Sequence, residues 1–143
     1  MELRPFGTLT LELNSDGLFF LGETPVGKRI IQEIKGVTFK GERFDAHLKG
    51  AAAADWLAID GNGIATFDIR MTLETEEETP AILYLNYVGK ADWSGGMGQA
   101  PVYVTALFEA GDERYTWLNS APIVGKGVLQ EGGGLVYEFS ELV

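Results

Sequence analysis

Alternation of apolar and polar residues runs through most of the chain. Leu9, Leu11 and Leu13 alternate with Thr8, Thr10 and Glu12, the period-two pattern of a half-buried strand. Asn14-Ser15-Asp16-Gly17 reads as a turn, because Asn, Asp and Gly tolerate the backbone angles a turn requires. Leu18 to Leu21 is then a short apolar return. From Gly27, Ile30 and Ile34 give a second long strand, with a bulge or barrel corner at Gly36. Phe44, Ala46 and Leu48 oppose Asp45, His47 and Lys49. The alanine run from Gly50 to Ala54 is too short to hold a helix alone, and predicts a close-packed loop or single helical turn.

After Asp60-Gly61-Asn62-Gly63, a strong hairpin signal, comes the clearest strand: Ala65, Phe67, Ile69, Met71 and Leu73 on one face, Thr66, Asp68, Arg70, Thr72 and Glu74 on the other. Glu76-Glu77-Glu78 reads as a solvated acidic turn. Ile82–Val88, Pro101–Ala110, Ala121–Leu129 and Leu135–Leu142 supply further strands. The pattern predicts about nine or ten strands at hairpin spacing, with one short helical turn and no amphipathic helix. Such a chain is all-β, and closure into a single antiparallel barrel over residues 1–143 removes the open edges that long strands would otherwise leave.

Composition narrows the chemistry. The chain has no Cys and one His, so thiolate chemistry, disulfides and multi-histidine metal centres within one chain are excluded. The expectation is no metal and no cofactor. A net charge of -10 opposes nucleic acid and anionic membranes alike. No apolar run approaches the roughly 18–20 residues of a membrane-spanning helix, and Met1 to Leu13 alternates as a strand rather than a signal peptide. A soluble, cytoplasmic protein is expected. The glycines of Gly89 to Ala100 lack the following Gly-Lys-Ser/Thr of a phosphate loop. That loop, with Trp93 and Met97, is either a lid or a surface excursion.

In a small barrel each strand sends alternate residues into the lumen. Asp68 and Arg70 are therefore either an exterior ion pair or an inward pair, the Arg steadying an oxyanion and the Asp moving a proton. Glu109 beside Phe108 is either a surface carboxylate or an acid-base group in an aromatic pocket. These three are the candidate catalytic residues. Asp55, Trp56, Tyr84, Tyr103, Tyr115, Trp117 and Asn119 are the candidate ligand-binding residues, rich in aromatic surface with polar tips. His47, between Asp45 and Lys49, reads as solvated. Ser94 and Ser120 have no triad pattern.

Several segments together carry a family resemblance. They are Gly27-Lys28-Arg29 through Gly36-Val37-Thr38-Phe39-Lys40-Gly41, Ala54-Asp55-Trp56, and Phe67-Asp68-Ile69-Arg70 with Thr72-Leu73. Tyr84-x-x-Tyr87-x-Gly89 and the run from Thr105 to Asn119 complete the set. In order and spacing the chain resembles the domain-of-unknown-function 3237 family, also called the UPF-0311 proteins. The resemblance implies a calycin-like antiparallel barrel that assembles as a homo-oligomer, a dimer or larger. It also implies a small-molecule ligand and chemistry of the cyclase or isomerase type on a small carbonyl compound or natural product. A non-catalytic carrier and a solid barrel with a role in assembly are the rival readings. The family commonly carries an Arg in the strand before Thr105, and Pro101 to Val104 has none, so anion binding would fall to Arg70 and Arg114.

Overall fold

The computed structural model describes all 143 residues. Eight strands follow one another: β1 (Leu3–Thr24), β2 (Gly27–Gly41), β3 (Asp45–Ile59), β4 (Ile64–Thr75), β5 (Ile82–Asp92), β6 (Val102–Ala110), β7 (Ile123–Leu129) and β8 (Leu135–Leu142). Each pairs antiparallel with the next and β8 returns to β1, closing the sheet into a barrel. No helix is long and apolar enough to cross a membrane.

The all-β antiparallel barrel is as the alternation predicts, but with eight strands instead of nine or ten. Two apparent breaks are bulges inside longer strands. At Asn14–Gly17 the chain does not reverse: Leu13 pairs with Ile34 and Leu18 with Gln32, so β1 bows outward and then resumes. The backbone N–H of Asp16 donates to Asn14 Oδ1 at 3.1 Å, and Gln32 Nε2 donates to the Asn14 carbonyl at 2.8 Å, holding the bow in place. The alanine run behaves likewise. Leu48 pairs with Leu73 and Ala53 with Met71, which makes Lys49–Ala52 a swelling within β3 instead of a helical turn. Turn-forming and helix-forming residues are here overridden by a partner strand that pairs on both sides of them.

Closure sets the inward face of each strand. Leu9 and Leu11 of β1, Phe67, Ile69, Met71 and Leu73 of β4, Leu83, Leu85 and Tyr87 of β5, and Tyr137 and Phe139 of β8 are all buried. Inward glycines on β7 make room for the last two rings. A Cβ at Gly127 would lie 2.3 Å from Tyr137 Cε1, and one at Gly125 would lie 2.4 Å from Phe139 Cδ1. No side chain could stand there without displacing those aromatics.

One end of the barrel is packed solid. Phe6, Phe39, Phe44 and Phe108 meet with ring centroids 5.0–6.3 Å apart. A 3-10 helix, Glu113–Ser120, lies across this end and inserts buried Leu118. Trp117 contacts Phe6 and Phe44, each at 6.2 Å, and carries the Arg43 guanidinium 3.8 Å above its ring. Arg43 and Arg4 both bind Glu141, the buried inward residue near the end of β8. The two guanidiniums, Arg4 foremost, hold the Glu141 carboxyl below its ordinary range. The acidic turn is not wholly solvated, since Glu77 accepts from Tyr115 Oη at 2.5 Å and Arg114 Nη1 at 2.8 Å. Asn119 ties the helix to β6, accepting from the Ala110 N–H at 2.7 Å and donating to its carbonyl at 2.9 Å.

Replacing that amide removes both bonds at once. Asn119→Ala is expected to cost about 1–3 kcal/mol of stability, from about 0.5–1.5 kcal/mol for each of the two hydrogen bonds. Urea denaturation measures it, and an unchanged midpoint would show that Phe6, Phe44 and Trp117 hold the helix without the amide.

Candidate functional site

The opposite end of the lumen is open. A cavity of 140 Å³ lies there, and its lining is apolar but for two residues. Ile30, Ile34, Leu57 and Phe67 form the inner wall, and Leu18, Phe20, Met97 and Leu129 surround the mouth. Trp93 closes one side. Its ring meets Phe67 edge-on at 5.1 Å, and its Nε1 donates to the Ala100 carbonyl at 3.0 Å, fixing the loop after β5 over the opening. The polar pair in the lining is Gln32 of β2 and Asp55 of β3, directly opposite each other in the β2–β3 ladder.

Asp55 is the unusual group. It shares the inner face with Ala53 and Leu57 and is 6% exposed. The β3–β4 ladder pairs Asp55 with Ile69 and Ala58 with Thr66, and leaves Trp56 and Leu57 unpaired between them. In that opening Asp55 Oδ1 accepts from the Asp68 N–H at 3.3 Å, while the Trp56 carbonyl accepts from Arg29 Nη1 at 2.9 Å. One long backbone hydrogen bond is the only one the Asp55 side chain makes. Burial therefore pushes its carboxyl up to about 8, against the lowering effects of that bond and of Arg29; the nearby Asp68 charge adds to the rise. At neutral pH most of Asp55 is a neutral acid.

Two buried tyrosines stand beside it. Tyr87 and Tyr137 meet edge to face with centroids 4.9 Å apart, and neither hydroxyl has a hydrogen-bond partner. Burial raises both phenols, and the charge of a nearby Asp55 raises them further. Three protonated, poorly satisfied oxygen groups thus gather at one level of an otherwise apolar barrel. Such groups are costly to bury and are rare away from functional sites.

The other candidates from the sequence lie elsewhere. Asp68 and Arg70 project from the outer face of β4, because the apolar set Phe67, Ile69 and Met71 takes the inside. Arg70 Nη2 donates to Asp68 Oδ2 at 2.9 Å and Asn86 Nδ2 to Asp68 Oδ1 at 2.9 Å, and Arg70 lies 5.4 Å from the Trp56 ring. Arg70 holds the Asp68 carboxyl below its ordinary range. Glu109, Tyr84, Tyr103 and Trp56 are likewise outside, on the polar parity of β6, β5 and β3. The outer face does gather some of them: Trp56, Arg70 and Tyr84 line one groove, and Tyr84, Glu109 and Asn119 another. These grooves are larger, 430 and 510 Å³, yet they are shallow and contain no buried ionisable group. Tyr115, Trp117 and Asn119 belong to the plug at the solid end, and Arg114 is engaged by Asp112 and Glu77. Of the ten candidates, only Asp55 lines the lumen cavity.

The residues the sequence reading passed over are Gln32, Tyr87 and Tyr137, with Phe67 and Trp93 as walls. Their signal was parity. Tyr87 follows Leu83 and Leu85 at steps of two, and Tyr137 stands between Leu135 and Phe139. No three His, Asp or Glu side chains are grouped so as to hold a metal ion.

Comparison with known proteins agrees with this architecture. A β-barrel-like protein from Acinetobacter baumannii is 28% identical, with a TM-score of 0.83 over 99% of this chain and 96% of its own. A conserved protein of unknown function from Rhodopseudomonas palustris is 22% identical, with a TM-score of 0.84 over 99% and 97%. A protein from Penicillium herquei described as an enzyme is 18% identical, with a TM-score of 0.73 over 99% and 94%. No curated protein matches. The chain belongs to the family described as protein of unknown function (DUF3237), whose pattern matches residues 1–142.

Proposed function

We propose that the protein is a cofactor-free enzyme that moves a proton on a small carbonyl compound held in the lumen cavity, with Asp55 as the acid-base group. The observation that carries this reading is Asp55 itself, a carboxyl in the lining of an apolar cavity with its titration moved toward neutrality. A group that titrates near the working pH serves acid-base chemistry best. The enzyme from Penicillium herquei supports the reading only as far as fold: this barrel can house catalysis.

The chemistry follows from the site. The ionised fraction of Asp55 takes a proton from the carbon next to the carbonyl. The C–H bond breaks, an O–H bond forms on Asp55, and the electron pair moves into the enolate. Asp55 then returns the proton to the same or a neighbouring carbon. The cavity carries one negative charge before and after, so no second charge has to be solvated. Desolvation makes the carboxylate a stronger base than in water. The Asp68 N–H, donating to Oδ1, is the one group that fixes the carboxyl.

In D₂O, a set of small enolisable ketones is expected to exchange α-protons in an enzyme-dependent way, followed by NMR. Asp55→Asn should lower that rate at least 100-fold, within the roughly 10²–10⁴ range of general acid-base catalysis. The rate should rise with pH and level off above about 8, where Asp55 is ionised. Binding without exchange in the wild type would leave a carrier.

Stability gives an independent measurement. The folded Asp55 titrates at about 8, while an unfolded Asp titrates near its ordinary value of about 3.9. Between those values the native state holds a proton the unfolded chain lacks. The contribution is therefore complete below about 4 and is lost as pH rises toward 8, by up to about 1.4 kcal/mol per pH unit. Asp55→Asn has no proton to lose. Its stability relative to wild type is expected to increase steadily from pH 5 to pH 8, and parallel denaturation curves would contradict a buried acid.

Self-association is proposed as well. The second half of β1 passes beyond β8, which pairs with β1 only as far as Leu11. Leu18, Phe19, Phe20 and Leu21 are all exposed along that free edge, which a second copy of the chain can cover by strand pairing. Sedimentation equilibrium should find a dimer or larger, reduced to monomer by Phe19→Lys with Leu21→Lys; a monomeric wild type would remove the proposal.

A further inference from the structure

The polar end of the lumen cavity contains more than an acid. Gln32 lies across the ladder from Asp55 and lines the same cavity. Its amide nitrogen is already engaged, donating to the Asn14 carbonyl at 2.8 Å and the Glu33 carbonyl at 2.9 Å. Those two carbonyls settle which way the amide points, since only the nitrogen can donate to them. What Gln32 has left for a ligand is Oε1, an acceptor. Asp55 is the converse: Oδ1 accepts from the Asp68 N–H, and in the neutral acid Oδ2 carries the proton and donates. Cross-strand neighbours on one face stand about 4.5–5.5 Å apart at Cβ. The lining therefore pairs one side chain that has a donor to spare with one that has an acceptor to spare, and is apolar everywhere else.

Charge and size restrict the ligand further. No Lys or Arg lines the cavity. Arg29, the nearest cation acting on Asp55, is committed to the Trp56 carbonyl. A carboxylate or phosphate would enter with no counter-charge, beside an acid that can itself become negative. The volume of 140 Å³ is close to the roughly 150 Å³ apolar cavity known to take benzene. Phe67 and Trp93, perpendicular to each other, offer aromatic walls to a single ring.

Building on the enzymatic reading of this site, we infer that its substrate class is the neutral α-hydroxy ketones of single-ring size. The ketone oxygen accepts from Asp55 and the adjacent hydroxyl donates to Gln32 Oε1. The hydroxyl and the carbonyl sit on neighbouring carbons, matching the neighbouring donor and acceptor. An amine is the competing occupant, because Asp55 could ionise to meet it. A lining that is apolar but for Gln32 and a single carboxyl favours the neutral hydroxy ketone over an ammonium group. The reaction in this class starts from the ionised fraction of Asp55: the carbinol C–H bond breaks, an O–H bond forms on the carboxylate, and the electron pair moves into an enediolate, whose oxygen then accepts from the newly formed Asp55 acid. Return of the proton to the former carbonyl carbon, with a proton shift between the two oxygens, yields the isomeric hydroxy ketone or hydroxy aldehyde. No oxidant or reductant is consumed.

A matched set of probes tests the assignment on the wild-type protein by titration calorimetry: 2-hydroxyacetophenone, acetophenone, 1-phenylethanol, benzoate and benzylamine. The hydroxy ketone is expected to bind at least 10-fold more tightly than each of the other four. In Gln32→Met, the advantage of the hydroxy ketone over acetophenone should disappear. Equal binding of acetophenone overturns the hydroxyl contact, tighter benzylamine makes the cavity an amine site, and no binding at all overturns the class. Deuterium exchange at the carbinol carbon separates this inference from the one beneath it. Selective binding of 2-hydroxyacetophenone without Asp55-dependent exchange keeps the ligand class and retires catalysis. Exchange on acetophenone as fast as on its hydroxy analogue keeps catalysis and retires the ligand class.

Discussion

Closing a sheet on itself forces half of every strand's side chains into a space without water. In this barrel nearly all of those positions hold Leu, Ile, Val, Ala, Met or Phe, and thirty buried residues form one cluster. Any polar group given an inward position must find a partner there or change its protonation. Glu141 and Asp55 take those two courses. Glu141, near the solid end, meets two guanidiniums and stays charged. Asp55, at the open end, meets one backbone N–H and becomes a neutral acid around pH 7. The same residue class, on the same side of the same sheet, is a paired carboxylate in one place and a nearly unpaired acid in the other.

The difference lies in what closes each end. At the solid end the chain supplies its own plug, the 3-10 helix. Asn119, Glu77 and the Arg43–Trp117 stack fix it to the strands around it. At the other end the bowed β1 and the loop after β5 only rim the opening, so the lumen keeps an entrance. Gln32 belongs to both the rim and the cavity: its amide nitrogen holds the bow of β1 while its side chain lines the cavity beside Asp55.

Much of the barrel was legible from alternation, because the period of two survives even where turn residues interrupt it. The strand count was not, since a four-residue bow in β1 or β3 looks locally like a turn or a helical start. Only pairing with β2 and β4 across the interruption distinguishes them. The site was less legible for a reason of the same kind. On β4 the polar residues Asp68 and Arg70 drew attention as chemistry, yet in a packed barrel the polar parity is the outside. The buried polar positions were instead the exceptions on the apolar parity: Asp55 between Ala53 and Leu57, Tyr87 after Leu85, Tyr137 between Leu135 and Phe139. Asp55 was one of the ligand-binding candidates, and it lies on the face opposite its neighbour Trp56.

Exceptions on the apolar parity are expensive, and the surrounding sequence shows compensation for them. Tyr137 fits only because Gly127 has no side chain, and Phe139 only because Gly125 has none. Glycine in a strand weakens it by roughly 0.5–1 kcal/mol relative to Ala. Both tyrosine hydroxyls lack partners, and an unsatisfied buried group costs about 1–3 kcal/mol. Phenylalanine at 87 or 137 would fill the same space without that cost, and Asn or Leu at 55 would remove the ionisation penalty. A barrel selected for stability alone has easier choices at all three positions. Their presence together, at one level of the lumen and beside the one cavity with a deep apolar lining, is the pattern expected where stability has been exchanged for chemistry.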